Sequence, residues 1–225
     1  MLKQNEIMNE LDKWVHERGN GEYIPKTDSP ELTNFGRLPD YGIQQVRAEI
    51  AEFVGVLLRH GKRSSILEIG LGFFGSTHFL WRMIFDRVAT IEKNDLRIFE
   101  FGQNTRTFYG KWILDSGSAL FTGFSTEAPI VQKVYAQFRD GVDVLFIDGD
   151  HSYAGIIADW LLYAPLVRPG GIVAFHDMEL YYAHDRGPKG FFEDLEGGKL
   201  TYGKRFKIER IQHSKYHGIG YYIKE

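Results

Sequence analysis

The sequence of 225 residues contains no cysteine. This absence excludes disulfides, thiolate zinc sites, iron–sulfur clusters and cysteine nucleophiles, and no feature of the chain requires an oxidising compartment. Long apolar runs are also absent, because the longest extends from about Trp160 to Val167, far short of the roughly 18 residues that a membrane-spanning helix needs. The first residues, MLKQNEIMNELDKW, carry charges where a secretory signal would be apolar. We therefore expect a soluble, cytoplasmic protein with no membrane partner.

An excess of charge of either sign is absent as well. Lysine and arginine total 27, aspartate and glutamate total 30, and the net charge is −3 with neutral histidine. No block of like charge is long enough to suggest an acidic or basic tail, so we expect no nucleic acid partner. The length favours one large domain with additions over two complete domains.

The N-terminal part of the chain differs in composition from the rest. Ile7, Leu11 and Trp14 recur at helical spacing between charged residues, which predicts a short amphipathic helix. The stretch from Gly21 to Tyr41 is rich in Pro, Gly, Asp, Ser and Thr, which is typical of an irregular connector. We predict that residues 1–43 form a helical cap and connector and that residues 44–225 form the main domain.

From Ser64 onward, short apolar strands alternate with helical segments, which predicts βαβ units and a mostly parallel sheet. The predicted fold class is α/β, with a seven-stranded, mostly parallel sheet and helices on both faces. The predicted strands are Ser65–Ile69, Val88–Ile91, Trp112–Leu114, Val142–Ile147, Ile172–Phe175, Phe206–Ile211 and Gly218–Ile223, the last two forming an antiparallel hairpin at the sheet edge. A helix is predicted before this region at Gln44–Arg59, and the helices predicted within it are Ser76–Phe85, Leu96–Asn104, Ile130–Phe138 and Tyr153–Leu166.

A glycine-rich turn separates the first predicted strand from the following helix and contains Gly70, Gly72 and Gly75, with Ser76 at the helix start. Glycine suits this position because a nucleotide-like ligand must approach the backbone closely and the turn needs unusual dihedral angles. Glu92 ends the next strand, where it can accept hydrogen bonds from two ribose hydroxyls. The pattern fits NAD and S-adenosylmethionine, and it also fits a plain tight turn with a solvated glutamate.

Glu68 favours S-adenosylmethionine over NAD. It lies two residues before the first glycine and puts negative charge near the turn. Such a charge suits the ammonium group of a bound amino acid and opposes a pyrophosphate.

Acidic and imidazole side chains follow two further predicted strands. Asp148 and Asp177 lie at strand ends, where open parallel sheets bind ligands. If the two strands are neighbours, the carboxylates start only about 5 Å apart, and such a pair needs a cation, a shared proton or ample solvent. A divalent metal meets this need with His176 as a third ligand; oxygen ligands suit Mg²⁺, and an imidazole shifts the preference toward Mn²⁺ or Fe²⁺. The plainer alternative is that Asp148 caps the following helix and His176 packs beside it.

Together these motifs resemble the class I S-adenosylmethionine-dependent methyltransferases. More narrowly, they resemble the metal-dependent O-methyltransferase branch that contains the macrocin and mycinamicin sugar methyltransferases and the cephalosporin hydroxylase-like proteins. The resemblance extends from about Gln44 to the C-terminus and implies a Rossmann-like fold. The segments that carry it are Glu68–Gly70, Gly75–Ser76, Ile147–Tyr153, Pro169–Gly171 and Phe175–Asp177.

The resemblance also implies roles for individual residues. It implies that Asp148, His176 and Asp177 hold a divalent metal and that His151 is the general base, with a small hydroxylated acceptor such as a sugar, macrolide or phenolic. His176 stands where relatives often have a carboxylate, and Phe74 stands where many have another glycine. The adenine contact falls on Ser118 or Asp115.

Weaker signals concern the acceptor and the remaining histidines. Residues in the segment after Asp177 either contact a hydroxylated ring or pack the connector; these are Tyr181, Tyr182, His184 and Arg186. His213 and His217 are interpreted as ordinary scattered histidines. An NAD-dependent oxidoreductase and a non-catalytic docking protein stay open as alternatives, as does a homo-oligomer.

Overall fold

A computed structural model of the protein describes residues 2–18, 45–72, 75–93, 100–101, 105–106, 117–180 and 184–225. The strands are β1 (Ser65–Ile69), β2 (Arg87–Glu92), β3 (Glu100–Phe101), β4 (Thr105–Arg106), β5 (Ala119–Thr122), β6 (Val142–Ile147), β7 (Val167–Phe175), β8 (Glu209–Ile211) and β9 (Ile219–Ile223). The helices are α1 (Gln4–Arg18), α2 (Arg47–His60), α3 (Ser76–Arg82), α4 (Ala128–Gln137), α5 (Tyr153–Tyr163) and α6 (Gly187–Glu196). Among the described residues, no helix is long and apolar enough to cross a membrane.

The central sheet confirms the predicted fold class. Seven strands lie in the order β5-β2-β1-β6-β7-β9-β8, and all pairs are parallel except β7 with β9 and β8 with β9. The antiparallel pair is the predicted C-terminal hairpin. Because β1 lies between β2 and β6, the chain order reverses there, and ligands bind outside the carboxyl ends of the strands at such a point.

Each face of the sheet is covered by helices, so the central strands are apolar on both sides. Along β6, Leu145 and Ile147 pack with α4, α5 and α6 on one face, whereas Val144 and Phe146 pack with α1, α2 and α3 on the other. The apolar side of α1 lies in this second cluster, so the predicted N-terminal helix packs directly on the main domain.

Strand β7 begins earlier and β8 later than the sequence predicts, and other details also differ or cannot be compared. The strand predicted at Trp112–Leu114 lies outside the described residues, and the sheet strand of this region is β5. The helix predicted at Leu96–Asn104 is wrong at Glu100–Phe101, because these residues pair with Thr105–Arg106 in an antiparallel ladder. Helix α6 was not predicted; Pro188 near its start and five buried apolar or glycine residues stabilise it against α5 and β7.

Candidate cofactor and metal site

The register of three parallel strands brings the predicted site residues to one edge of the sheet. Ile69 of β1 pairs with Ile147 of β6, which pairs with Phe175 of β7. The next residues continue the ladder: the backbone N–H of Asp148 donates to Ile69 at 2.8 Å, and that of His176 donates to Ile147 at 3.0 Å. Gly70, Asp148 and His176 therefore lie side by side, as the sequence predicts for strand ends in a parallel sheet.

The glycine turn is held tightly against this edge. Gly70 has a φ of 91°, and its N–H donates to the carbonyl of Ile91 at 2.9 Å. A Cβ at Gly70 would overlap the backbone carbonyl of Asp148. The carboxylate of Glu92 accepts a hydrogen bond from the N–H of Leu71 at 3.0 Å and so fixes the turn to the end of β2. Gly75, with a φ of 62°, then begins α3 immediately before the buried Ser76.

The replacement Gly70→Ala is expected to cost much more stability than Gly61→Ala. Both glycines have a positive φ, which costs an alanine about 1–2 kcal/mol. At Gly61, an added Cβ meets no described atom within 4 Å, whereas at Gly70 it overlaps a backbone carbonyl that cannot move freely. We expect the free energy of unfolding, measured by urea denaturation, to fall by more than about 3 kcal/mol at Gly70 and by about 1 kcal/mol at Gly61. Equal losses at the two positions would contradict the close approach of Gly70 to Asp148.

Glu68, the predicted partner of the cofactor's ammonium group, lies beneath the glycine turn. Its side chain is fully buried on the face of the sheet that packs against α3. The carboxylate accepts hydrogen bonds from Trp81 Nε1 at 2.8 Å and from Thr90 Oγ1 at 2.7 Å. Burial raises the pKa of Glu68 to about 7, against the opposing effect of hydrogen bonds from Thr77, Thr90 and Trp81. These hydrogen bonds hold the Glu68 carboxylate between β1, β2 and α3.

The buried carboxyl group of Glu68 predicts a pH-dependent stability. Its pKa of about 7 in the folded protein lies above the ordinary value of 4.5, so the folded protein holds this proton more tightly than the unfolded chain. The stabilisation is complete below pH 4.5 and is lost as the pH rises through about 7. Relative to Glu68→Gln, the free energy of unfolding of the wild type should fall by about 3 kcal/mol between about pH 4.5 and pH 8. Urea denaturation across this range measures the difference, and parallel pH profiles for the two proteins would show that Glu68 does not titrate in this way.

Asp148 and Asp177 lie among three histidines. His176 Nδ1 is 3.3 Å from Asp148 Oδ1 and 3.1 Å from Asp177 Oδ1, so one imidazole nitrogen touches both carboxylates. His151 also lies between them, with Nε2 3.3 Å from Asp148 Oδ1 and Nδ1 3.5 Å from Asp177 Oδ2. His217 Nδ1 is 2.7 Å from Asp177 Oδ1. The structure thus brings together all four residues predicted for metal binding and base catalysis.

The electrostatics of this cluster follow from burial and opposite charge. Burial would raise the pKa of Asp148, but the positive charge of His176 and the hydrogen bond with His151 hold it well below the usual range of a carboxyl group. Burial would lower the pKa of His176, but the charges of Asp177 and Asp148 raise it to about 9. Burial would also lower the pKa of His151, but its hydrogen bond with Asp148 and the charges of Asp177 and Asp148 together raise it. Without a cation, the positive charge of His176 partly balances the two carboxylates.

The backbone at Asp177 is strained. This residue has a φ of 56°, in the left-handed region that few non-glycine residues adopt. Such a conformation costs about 1–3 kcal/mol and persists where the surrounding structure holds it. Asp177 lies two residues after the end of β7. Its backbone conformation places the side chain beside His217 and His151.

Sequence reasoning missed two residues of this cluster. Gln45 is fully buried, and its Nε2 donates to Asp148 Oδ2 at 2.9 Å. No sequence signal marks Gln45, because it lies more than 100 positions from its partner. His217 was interpreted as an ordinary histidine. The predicted hairpin carried a usable signal, because Phe175 of β7 pairs with Gly220 of β9 and the residues before β9 therefore lie beside the end of β7.

Donor atoms in two overlapping groups of side chains lie close enough to share a cation. Asp148, His151 and Asp177 form one group, and His176, Asp177 and His217 form the other, each with its donor atoms within 4.8 Å of one another. Carboxylate and imidazole donors suit a divalent transition metal. Two buried polar atoms of this cluster have no hydrogen-bond partner within the described part of the chain, namely the amide oxygen of Gln45 and Nε2 of His176. The residues therefore fit a divalent ion.

The remaining predicted residues lie at the margins of the site or outside the described residues. Arg186 forms ion pairs with Asp194 at 2.8 Å and Glu193 at 3.2 Å, which favours a role in packing the segment before α6. His184 is exposed, and Ser118 lies half-buried just before β5. Tyr181 and Tyr182 lie outside the described residues, as do Phe74, Asp115 and the connector.

Comparison with known proteins supports the methyltransferase resemblance. Residues 81–178 match a family model described as a methyltransferase domain. An uncharacterized protein of Acanthamoeba polyphaga mimivirus is 48% identical over 42 residues, which cover 19% of each chain.

Solved structures with the same fold include three O-methyltransferases or natural-product methyltransferases. A Bacillus cereus O-methyltransferase in complex with S-adenosylhomocysteine (SAH) is 17% identical with a TM-score of 0.57, over 100% of this chain and 93% of that chain. The TDP-rhamnose 3'-O-methyltransferase of calicheamicin biosynthesis is 16% identical with a TM-score of 0.54, over 96% and 93%. The mycinamycin-pathway methyltransferase MycE, in complex with Mg, SAH and mycinamycin VI, is 17% identical with a TM-score of 0.54.

The chain covers only part of some of these relatives. The match to MycE spans 77% of this chain and 48% of the MycE chain, and the match to the mimivirus protein spans 19% of that protein. At these identities the structural likeness establishes the fold. The family model and the seven-stranded sheet together confirm the resemblance of this chain to the class I methyltransferases, with a methyltransferase domain matched at residues 81–178.

Proposed function

We propose that this protein is an S-adenosylmethionine-dependent O-methyltransferase that uses a divalent metal and acts on a hydroxyl group of a small molecule, such as a sugar, macrolide or phenolic. The observation that carries the proposal is the convergence of Asp148, Asp177 and His151 at the sheet edge, directly beside the glycine turn. Support for a small-molecule acceptor comes from structures of similar fold, whose names include a macrolide-pathway enzyme and a TDP-rhamnose methyltransferase.

The cofactor would lie across the carboxyl ends of β1 and β2. Gly70, Gly72 and Gly75 leave room for it, and each has a positive φ that the turn requires. Glu92 lies at the end of β2, where its carboxylate accepts a hydrogen bond from the N–H of Leu71. In this position the carboxylate can also accept hydrogen bonds from ribose hydroxyls. Ser76 at the start of α3 and Ser118 before β5 complete the proposed contacts, with Asp148 at the methyl-donor end.

Asp148, His176 and Asp177 would hold the metal. Their donor set suits a divalent ion, and the unpartnered amide oxygen of Gln45 beside Asp148 is consistent with a further ligand at this point. When bound, the ion supplies positive charge that lowers the pKa of an acceptor hydroxyl. Asp148 also orients the imidazole of His151 through its contact with Nε2 at 3.3 Å.

His151 would act as the general base. Its side chain is 19% exposed, so part of the ring faces outward from an otherwise buried cluster. In the proposed reaction, the acceptor oxygen forms a bond to the methyl carbon, the carbon–sulfur bond breaks and its electron pair stays on sulfur, leaving S-adenosylhomocysteine. The hydroxyl proton passes to His151, whose contacts with two carboxylates stabilise the imidazolium form.

A methyl-transfer assay tests the proposed function. The purified protein is incubated with S-adenosylmethionine labelled on the methyl group and a panel of sugars, macrolides and phenolics, with metal added or with excess chelator. We expect label on a hydroxyl oxygen, loss of transfer in chelator and recovery when Mn²⁺ or Mg²⁺ is restored. Transfer to nitrogen alone, or full activity in excess chelator, would contradict the proposal.

A further inference from the structure

The C-terminal hairpin places an imidazole in the proposed metal site. The residues between β8 and β9 lie beside the end of β7, because β9 pairs with β7 in antiparallel register. The buried carboxylate of Glu49 on α2 holds this turn by accepting hydrogen bonds from the N–H of His213 at 2.8 Å and of Gly218 at 3.0 Å. The N–H of His217 itself donates to Ser214 Oγ at 3.2 Å. Hydrogen bonds from the backbone of His213, His217 and Gly218 therefore fix the position of His217 in this turn.

The side chain of His217 shares Asp177 with His176. Its Nδ1 lies 2.7 Å from Asp177 Oδ1, and His176 Nδ1 lies 3.1 Å from the same oxygen. The two imidazole rings are nearly parallel, with 6.0 Å between their centroids and 14° between their planes. The donor atoms of all three residues fall within 4.8 Å of one another, and all three side chains are buried. This arrangement is a carboxylate flanked by two imidazoles.

A second observation indicates that this cluster is built for a ligand. Nε2 of His176 is buried and has no hydrogen-bond partner among the described residues. The amide oxygen of Gln45, on the fully buried side chain that donates to Asp148, likewise has none. Buried polar atoms without partners destabilise a folded protein, so two of them beside one charged cluster favour a bound group that would satisfy them.

The chemistry of the donors distinguishes among metal ions. Mg²⁺ prefers an all-oxygen octahedral environment, whereas imidazole nitrogen suits Mn²⁺, Fe²⁺, Co²⁺ and Zn²⁺ better. We propose that His217 is a ligand of the proposed metal ion together with His176 and Asp177, and that a site with two imidazoles selects a transition-metal ion such as Mn²⁺ over Mg²⁺. This inference rests on the metal-assisted reaction proposed above and extends it to the identity of the ion.

Direct metal binding tests the inference without cofactor or acceptor. Calorimetric titration of the metal-free protein should give an affinity for Mn²⁺ at least about 10-fold higher than for Mg²⁺. In His217→Ala the affinity for Mn²⁺ should fall by about 100-fold or more, and the preference for Mn²⁺ over Mg²⁺ should shrink. The matched control is His213→Ala, an exposed histidine of the same turn whose imidazole pairs with Glu52, and it should retain the wild-type preference.

Electron spin echo spectroscopy of the Mn²⁺-loaded wild type supplies a readout that needs no variant. We expect nitrogen couplings from two imidazoles, one of which disappears in His217→Ala. Equal affinities for Mn²⁺ and Mg²⁺, or unchanged nitrogen couplings in His217→Ala, would overturn the inference and leave His217 as a hydrogen-bond partner of Asp177. Failure of the proposed function would give a different result, namely no methyl transfer. That result does not depend on which metal ion the protein prefers.

Discussion

Replacement of His151 by alanine is expected to lower kcat by about 10²- to 10⁴-fold, the usual contribution of a general base, with little change in the affinity for S-adenosylhomocysteine. The imidazole of His151 lies between Asp148 and Asp177, and its side chain is partly exposed. Its removal takes away the proton acceptor while leaving the proposed cofactor contacts in place. Steady-state kinetics and calorimetry measure the two quantities separately.

The control for this prediction is His213→Ala. His213 is exposed, pairs with Glu52 and contacts neither carboxylate of the site in the described residues. We expect kcat close to the wild-type value for this variant. If His151→Ala also retained wild-type turnover, His151 would have no part in the reaction.

Asp148→Asn is expected to abolish metal-dependent activity. The amide keeps the size of the side chain but removes the negative charge that faces His151 and His176. Loss of a ligand should weaken metal binding by more than the 10- to 100-fold that removal of an outer-shell partner typically causes. Asp177→Asn should have the same effect, because Asp177 belongs to both groups of side chains that could hold the ion. Calorimetric titration with Mn²⁺ and kinetics at increasing metal concentration measure these losses.

Asp150→Asn is the matched control for the two aspartates. Asp150 is exposed, and its carboxylate accepts the N–H of Ser152 at 2.9 Å at the start of α5. The Asp150→Asn variant should have a metal affinity and a kcat close to those of the wild type. Full activity of Asp148→Asn or Asp177→Asn in the presence of excess chelator would eliminate the metal from the mechanism.

The positions of Asp148, His176 and Asp177 could be predicted from the sequence because they depend on local pattern. Each follows an apolar run that reads as a buried strand, and carboxyl ends of parallel strands meet at one edge. The adjacency of β6 and β7 then brings Asp148 and Asp177 together. The proposed role of His151 comes from the resemblance to the metal-dependent O-methyltransferases, in which the residue three positions after the first ligand is the base.

The orientation of Glu68 could not be predicted in the same way. Its two neighbours on β1 are both apolar, and a strand buried on both faces carries no alternation that marks which side faces a ligand. The donors Trp81 and Thr90 lie 13 and 22 positions away, so their hydrogen bonds arise only when α3 and β2 pack on β1. Gln45 was missed for the same physical reason, because its contact with Asp148 depends on how α2 packs at the sheet edge.

Short elements were the least predictable part of the fold. Strands β3 and β4 contain two residues each, and their pairing with each other overrides any helical periodicity in the surrounding sequence. Strand β5 has four half-buried residues at the edge of the sheet, where the apolar signal is weak. The central strands, which are fully buried, were predicted close to their observed bounds.

The central claim is that the glycine turn and Glu92 bind S-adenosylmethionine, and a calorimetric titration with S-adenosylhomocysteine beside NADH tests it most directly. We expect micromolar binding of S-adenosylhomocysteine and no binding of NADH, with or without Mn²⁺. Binding of NADH alone would contradict the account and favour an oxidoreductase, and binding of neither ligand would favour a non-catalytic docking protein.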